Sequence, residues 1–270
     1  MAQILCSTGA LIGRPNGRDY RLLKGILPKL HCDGIEFMMY STWYDEVDKL
    51  VAFLKAMQLN IPVVHCQKSI GEMVSKGDDD NLSEAFRRFE IDCGIARSLG
   101  ARKLVLHLWG GIASDSDFQN NIMAYPRFRT ISENYGMNLL IENIVCNHQD
   151  PMSRWLELIK IYPDINLIFD TKMAAFHNQL DEIYKPENQF LNDRICHYHV
   201  NDYAGGYMDW ANLRILSIGS GNVDFVRFFE HIKQIGYSDT FTVESTAFDS
   251  QGIVNIEMLN SQFEYIRNNI

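Results

Sequence analysis

Short apolar runs alternate with longer amphipathic segments from one end of the chain to the other. Eight runs have the length and the aliphatic, β-branched composition of buried strands. They are Gln3–Cys6, Gly34–Met38, Ile61–Cys66, Lys103–Leu108, Asn138–Asn143, Asn166–Asp170, Ile195–Val200 and Thr240–Ser245. Apolar residues at helical spacing predict helices at Tyr20–Leu30, Trp43–Gln58, Leu82–Leu99, Asp115–Tyr135, Arg154–Tyr162, Leu180–Tyr184 (a weaker pattern), Phe225–Ile235 and Ile256–Asn269.

Capping residues and a proline mark some helix ends. Asn81, with Glu84 three residues later, has the spacing of a capping box. Gly100 follows the same helix where a left-handed residue commonly ends one. Pro126 lies inside the segment Asp115–Tyr135, so we expect that helix to break or kink there.

Strands that recur at similar spacing, with helices between them, predict a parallel sheet. Eight such units in 270 residues favour a closed (β/α)8 TIM barrel over an open doubly wound sheet. No Gly-x-Gly-x-x-Gly follows the first strand, which removes the main support for a dinucleotide-binding fold. We find no domain boundary and expect residues 1–270 to form a single domain.

Seven of the eight predicted strands carry a Glu, Asp or His close to the C-terminal end. These residues are Glu36, His65, His107, Glu142, Asp170, His199 and Glu244. A carboxylate or imidazole in an aliphatic strand is costly to bury unless something compensates it. One such residue is compatible with a structural hydrogen bond. Seven of them, at the end where barrel enzymes carry their chemistry, predict a functional site.

The seventh strand contains two histidines on one face. Side chains alternate along a strand, so His197, His199 and Asn201 share a face, and Cys196 and Tyr198 point the other way. Taken alone, this pattern fits two buried, hydrogen-bonded histidines as well as it fits a site.

The acidic residues at the mouth predict a cation. Glu142, Asp170 and Glu244 repel one another, and together with His199 they offer three oxygen donors and one nitrogen donor. This set suits Mn²⁺, Mg²⁺ or Co²⁺ better than a thiolate-preferring ion, and Zn²⁺ stays open. A polar layer held only by hydrogen bonds is the alternative.

Composition and charge limit the partners and the cellular location that we expect for this protein. The formal net charge of −9 disfavours a partner held by its phosphate backbone, so we do not expect nucleic acid. No apolar run approaches the ~20 residues of a membrane span. The start of the chain lacks the features of a signal peptide, and scattered cysteines without a Cys-x-x-Cys pair favour reduced thiols, so we expect a cytoplasmic protein. The oligomeric state stays open, a homo-oligomer included.

The strand ends resemble those of the xylose isomerase-like TIM barrels, a superfamily of sugar and sugar-phosphate isomerases and epimerases that also contains endonuclease IV. The resemblance covers essentially the whole chain. It is carried by IEN (141–143), FDT (169–171), HVND (199–202), GSGNVDF (219–225) and TVES (242–245), preceded by the histidines of strands three and four. It implies a metal held by Glu142, Asp170, His199 and Glu244, with His197 as a supporting group.

The endonuclease branch is the weaker match. It places a further histidine ligand three residues after the Asp of strand six, where this chain has Met173, and an Asp-x-His pair after strand seven. The segment Tyr203–Asn222 contains no histidine, although His65 and His107 match two other ligands of that branch.

The resemblance implies a divalent-metal-dependent isomerase or epimerase of a sugar or sugar phosphate. In such a reaction a carbon next to a carbonyl loses and regains a proton through an enediolate, which a metal stabilises as a Lewis acid. Glu142 and Glu244 correspond to the pair that moves the proton in the ketose 3-epimerases. The alternatives are a metal-dependent dehydratase or lyase of a polyol-derived ketone, an abasic-site endonuclease, and a barrel that binds a sugar without turnover.

Several further residues are candidates for contact with substrate. Trp109 is a candidate for a hydrophobic wall, as are Phe37 and Trp210, although single aromatics more often only pack. Gly219-Ser220-Gly221, before the expected N-cap Asp224, is a weak signal for a phosphate-binding loop. The substrate-binding candidates are His65, His107, His148, Lys172, Glu36, Trp109 and Arg214, and His177 has no assigned role.

Overall fold

The chain folds into a closed barrel of eight parallel strands in sequence order, with helices outside it. The structure is a computed structural model that describes residues 2–245, 248–249 and 251–270. The strands are β1 (Gln3–Ser7), β2 (Gly34–Met38), β3 (Val63–His65), β4 (Lys103–Leu106), β5 (Asn138–Glu142), β6 (Asn166–Asp170), β7 (Ile195–His199) and β8 (Thr240–Val243). The predicted (β/α)8 TIM barrel is confirmed, and several predicted strands end one or two residues too late because their last residues already belong to the loops of the barrel mouth.

The helices follow the predicted order, with two additions. They are α1 (Leu23–Ile26), α2 (Val47–Ala56), α3 (Ser69–Lys76), α4 (Asp79–Leu99), α5 (Phe118–Asn134), α6 (Pro151–Ile161), α7 (Thr171–Phe176), α8 (Phe225–Gln234) and α9 (Ile256–Asn269). The short helices α3 and α7 were not predicted. The helix predicted at Tyr20–Leu30 is mostly 3₁₀ around a single α-helical turn, and the weak pattern at Leu180–Tyr184 forms a 3₁₀ helix.

The N-cap predicted for α4 is wrong, and of the break or kink expected at Pro126 the break does not occur. Helix α4 begins at Asp79, and its N-cap is Asp78, whose carboxylate accepts from the amide of Asn81, so Asn81 is not the cap. Helix α5 continues through Pro126 without a break. The carbonyl of Ile122, which an amide at position 126 would have satisfied, accepts the hydroxyl of Tyr162 at 3.0 Å instead.

Apolar side chains pack on both sides of the barrel wall. The larger cluster fills the space between strands and helices, and it includes Phe37 and Trp109. A smaller cluster fills the barrel interior and consists of Leu5, Val63, Val105, Leu140 and Ile168. This inner cluster is the floor on which the polar residues of the mouth lie.

Among the residues that the structure describes, no helix is both long enough and apolar enough to cross a membrane.

Candidate functional site

The polar residues at the strand ends lie directly above the apolar floor of the barrel. On four strands, a residue of the floor is followed two positions later by a carboxylate or histidine side chain on the same face. These pairs are Val63 and His65, Val105 and His107, Leu140 and Glu142, and Ile168 and Asp170. Because side chains alternate along a strand, each of these polar side chains lies one pleat closer to the mouth than the apolar residue two positions before it.

The Nδ1 atom of His199 is the point where three carboxylates meet. It lies 3.2 Å from Oε1 of Glu142, 3.7 Å from Oε2 of Glu244 and 3.9 Å from Oδ2 of Asp170. Each of the four residues is at most 3% exposed. The structure thus brings together the four residues that the sequence predicted as one set.

Two asparagines fix the carboxylates, and the sequence analysis gave neither of them this role. The amide nitrogen of Asn201 donates to Oδ2 of Asp170 at 3.0 Å and to Oε2 of Glu244 at 3.3 Å, while its oxygen accepts from the backbone of Glu244. Asn143 exchanges two hydrogen bonds with the backbone of Asp170, at 2.6 and 3.0 Å. Their only sequence signal is their position in the motifs IEN and HVND.

His65 and His107 lie beside Glu142, each with a ring nitrogen close to the same oxygen. Their Nε2 atoms are 3.4 and 2.9 Å from Oε2 of Glu142. The Nδ1 atom of His65 lies 2.7 Å from the carbonyl of Cys66 and must carry the ring proton, because a carbonyl only accepts. With a proton on Nδ1, His65 presents its Nε2 atom to the Oε2 atom of Glu142.

Several buried atoms of this cluster lack a hydrogen-bond partner among the described residues. Nε2 of His65 and Oε1 of Glu244 have none, and Nε2 of His107 and Oε2 of Glu142 face each other at 2.9 Å without a well-aligned hydrogen bond. Buried polar atoms are rarely left in this state unless a ligand, ion or water satisfies them. Unpartnered lone pairs of carboxylates and imidazoles are the donors that a divalent cation uses.

The donor atoms are close enough to share a cation. Those of Glu142, Asp170 and His199 lie within 4.8 Å of one another, and so do those of His65, His107 and Glu142. Glu142 belongs to both groups. The residues of this cluster therefore fit a divalent metal ion in donor type, burial and spacing.

The electrostatics of the cluster also favour a cation. Burial alone would lower the pKa of His199, but Glu244, Glu36 and Glu142 raise it well above its usual value. Burial would raise the pKa of Glu142, but His107 and His199 hold it well below the ordinary range. At His107, burial dominates and lowers the pKa to about 4. A proton on His199 therefore supplies the positive charge that a bound metal would otherwise bring.

Glu36 is placed differently from the substrate-contacting role that the sequence suggested. It is fully buried, and its carboxylate accepts from Nε2 of His197 at 2.9 Å, Nε2 of His199 at 3.0 Å and Oγ1 of Thr242 at 2.8 Å. Burial would raise the pKa of Glu36, but His199 and His197 hold it well below its usual value. Glu36 therefore binds Nε2 of His199, while Nδ1 of the same ring faces the other carboxylates.

The predicted hydrophobic wall is largely absent. Trp109 is fully buried, packs edge-on against Phe118 and donates its indole N–H to the carbonyl of Ile144, so it belongs to the core. Phe37 is also buried, stacked on Trp43. Trp210 alone of the three candidates is half exposed, and it lines a cleft of ≈ 430 Å³ at the loops after β4 and β5.

The remaining candidates lie in the segments after β5, β6 and β7. Lys172 is 5% exposed in the first turn of α7, where its charge opposes the rise that burial causes in the pKa of Asp170. His148 is exposed, and its backbone amide donates to Asp115. Arg214 is an exposed loop residue. His177 is buried and accepts from the amide of Cys146, so it holds a loop rather than facing the carboxylates.

The glycine loop after β7 already binds an anion, and that anion is the chain's own Asp202. The amides of Gly219 and Gly221 donate to Oδ2 of Asp202 at 2.9 and 2.8 Å, and those of Tyr203 and Val223 donate to Oδ1. A Cβ atom at Gly221 would collide with this carboxylate. The loop that resembled a phosphate-binding loop therefore binds a carboxylate of the same chain. The expected N-cap Asp224 is confirmed.

The sequence gave no signal for Lys68, an exposed residue in the loop after β3 whose charge acts on the carboxylates. Desolvation lowers its pKa, but the carboxylates of Glu244 and Glu142 raise it more. Its charge in turn helps to lower the pKa of Glu244, against the effect of burial. A lone lysine in a loop carries no pattern that would have distinguished it in the sequence.

The chain belongs to the xylose isomerase-like TIM barrel family, whose model matches residues 27–266. An L-ribulose 3-epimerase of Methylomonas sp. (strain DH-1) is 27% identical over 195 residues, which is 70% of this chain and 62% of that protein. The matches span only 59% and 62% of the length of the first two curated relatives.

Solved structures share the fold over the full chain. The D-allulose 3-epimerase from Methylomonas sp. in complex with D-allulose has a TM-score of 0.72 and 17% identity, and the alignment covers 100% of this chain and 97% of that one. A zinc-bound IOLI protein has a TM-score of 0.71 and 15% identity, with 99% of each chain covered. At these identities, the likeness concerns the fold.

Proposed function

We propose that this chain is a divalent-metal-dependent epimerase or isomerase that acts on a ketose. The observation that carries the proposal is the convergence of Glu142, Asp170 and Glu244 on Nδ1 of His199 inside a closed barrel. The resemblance to an L-ribulose 3-epimerase supports a sugar substrate and a reaction at the carbon next to the carbonyl.

The metal ligands in this proposal are Glu142, Asp170, His199 and Glu244. Three carboxylates and one imidazole favour Mn²⁺, Mg²⁺ or Co²⁺, and they also accept Zn²⁺. A divalent ion held there would polarise the carbonyl and the neighbouring hydroxyl of the sugar as a Lewis acid.

Glu142 and Glu244 are proposed as the residues that move the proton. They come from β5 and from the end of β8, so they approach Nδ1 of His199 from different sides of the barrel. One of them, as the carboxylate, removes the proton from the carbon next to the carbonyl, and the other, as the carboxylic acid, returns a proton to the opposite face. Inversion of that carbon is the result expected when two opposed groups share the transfer.

Side chains around the carboxylates would bind and orient the sugar. His65 and His107 offer buried ring nitrogens, and Lys172 a nearly buried ammonium. The amides of Gly219 and Gly221 are engaged by Asp202, which favours a free ketose over a sugar phosphate.

The test is exchange of substrate hydrogen with solvent. The purified chain, loaded with Mn²⁺, is incubated with L-ribulose, D-allulose and D-tagatose in deuterated water, and the products are analysed by NMR and mass spectrometry. We expect one solvent deuterium at the epimerised carbon, and no exchange after EDTA treatment. Absence of exchange with every ketose, or exchange untouched by EDTA, would contradict the proposal. A product lighter by one water would instead identify a dehydratase.

A further inference from the structure

A continuous line of hydrogen bonds runs from the metal-binding cluster to the opposite end of the barrel. Most strands place an apolar residue below the mouth, but β7 and β8 place His197 and Thr240 there. The Nδ1 atom of His197 lies 2.6 Å from Oγ1 of Thr240, and Nζ of Lys103 lies 3.0 Å from the same hydroxyl oxygen. The apolar floor is therefore interrupted on this side.

The outer end of the line can only donate. Lys103 starts β4 and reaches across the bottom of the barrel, where its ammonium has three partners: the carbonyl of Cys196 at 2.8 Å, Oγ1 of Thr240 at 3.0 Å and Oδ1 of Asp239 at 2.7 Å. An ammonium has three hydrogens and no lone pair, so each contact uses one hydrogen. The hydroxyl of Thr240 accepts from Lys103, and its own hydrogen points to His197.

The inner end of the line can only accept. An ionised carboxylate has no hydrogen to give, so the short contacts of Glu36 require a proton on Nε2 of both His197 and His199. His197 then has a bare Nδ1, which is what the hydroxyl of Thr240 needs as acceptor. An ionised Glu36 and the ammonium of Lys103 thus fit one neutral tautomer of His197, with the nearby hydroxyl of Thr242 donating to Glu36 at 2.8 Å.

We infer that Lys103, Thr240 and His197 are positioning residues that act through Glu36 to fix the ring of His199. The geometry sets His197 as the Nε2–H tautomer and turns Nδ1 of His199, rather than its Nε2, toward the three carboxylates. Any other placement of these hydrogens would bring two buried lone pairs into contact or leave a buried donor without an acceptor, and both raise the free energy of the folded state. The inference rests on the proposed function in so far as Nδ1 of His199 is a metal ligand.

The experiment measures the tautomer of His197 and the affinity for Mn²⁺ separately. Ring nitrogen shifts of the ¹⁵N-labelled, metal-free chain should show His197 protonated on Nε2 alone. Thr240→Val, which keeps the shape but removes the hydroxyl, should change the ring shifts of His197 and weaken Mn²⁺ binding by roughly tenfold in calorimetry, the lower end of what outer-shell partners of metal ligands contribute. Thr240→Ser, which restores the hydroxyl, should bind Mn²⁺ like the parent chain.

Asp239→Asn is the matched control, because it removes the exposed charge beside Lys103 and leaves the line intact. It should change neither the ring shifts nor the affinity. A proton on Nδ1 of His197 in the parent chain would overturn the inference, and so would a Thr240→Val chain whose ring shifts and affinity both equal those of the parent. Failure of the parent chain to bind Mn²⁺ would contradict the proposed function, whereas the tautomer of the metal-free chain would still decide the inference.

Discussion

The Nδ1 atom of His199 lies 3.2 Å from Oε1 of Glu142, although β6 separates their two strands in the barrel wall. The closed barrel makes this approach direct, because inward side chains meet across its interior. Behind the ring, Nε2 of His199 lies 3.0 Å from Glu36. The imidazole is therefore held between a supporting carboxylate and the cluster that we propose as the metal site.

Replacement of Glu244 by glutamine should lower turnover strongly. Glutamine keeps the size of the side chain but cannot take up a proton, so we expect kcat to fall by a factor on the order of 10² or more. Steady-state kinetics with the ketose identified by deuterium exchange measures the effect. Glu264→Gln, on an exposed residue of α9, is the matched control. A rise in KM with unchanged kcat would mark Glu244 as a binding group instead.

Replacement of Asp170 by asparagine should reduce the affinity for Mn²⁺ by at least roughly 100-fold, because a directly bound anion is lost. His107→Gln should leave the affinity within a few-fold and raise KM, since we propose a substrate contact there. Calorimetry and elemental analysis measure affinity and stoichiometry. We expect one ion per chain. Several zinc ions per chain, lost with His107→Gln, would favour the endonuclease alternative.

The affinity for Mn²⁺ should rise with pH. The carboxylates around His199 raise its pKa well above the usual value, so the ring is protonated at neutral pH. A metal at Nδ1 must displace that proton, and the apparent affinity therefore increases by about tenfold per pH unit until the pH reaches the pKa of His199. Calorimetry in buffers of different ionisation enthalpy counts the released protons. An affinity that is constant between about pH 6 and about pH 8 would contradict this picture.

Replacement of Asp202 by alanine should loosen the loop between β7 and β8. Four backbone amides would lose a buried acceptor, at a cost of about 2–4 kcal/mol in the free energy of unfolding. We expect faster limited proteolysis within residues 203–222 and a lower midpoint in urea. Asp209→Ala, on a half-buried residue of the same loop whose carboxylate accepts from the side chain of Asn212, should change both much less. Equal cleavage rates for the two variants would show that Asp202 does not anchor the loop.

The barrel and the members of the candidate site were predictable because their signals are local. The alternation along each strand determines which residues face inward, and a polar residue at the end of an aliphatic strand must then lie near the mouth. Glu142, Asp170, His199 and Glu244 could be named as one set on this basis. The same local signals failed at Pro126, where a tyrosine from another part of the chain satisfies the freed carbonyl.

The sequence by itself thus determined the architecture and the chemical types of the residues at its mouth, since both depend on short-range periodicity. Only the tertiary structure decided the partners: Glu36 binds two histidines far along the chain, Asp202 occupies the glycine loop, and Lys103 reaches Thr240 from the opposite wall. Hydrogen bonds form over about 3 Å, and closure of the barrel sets which distant side chains come that close.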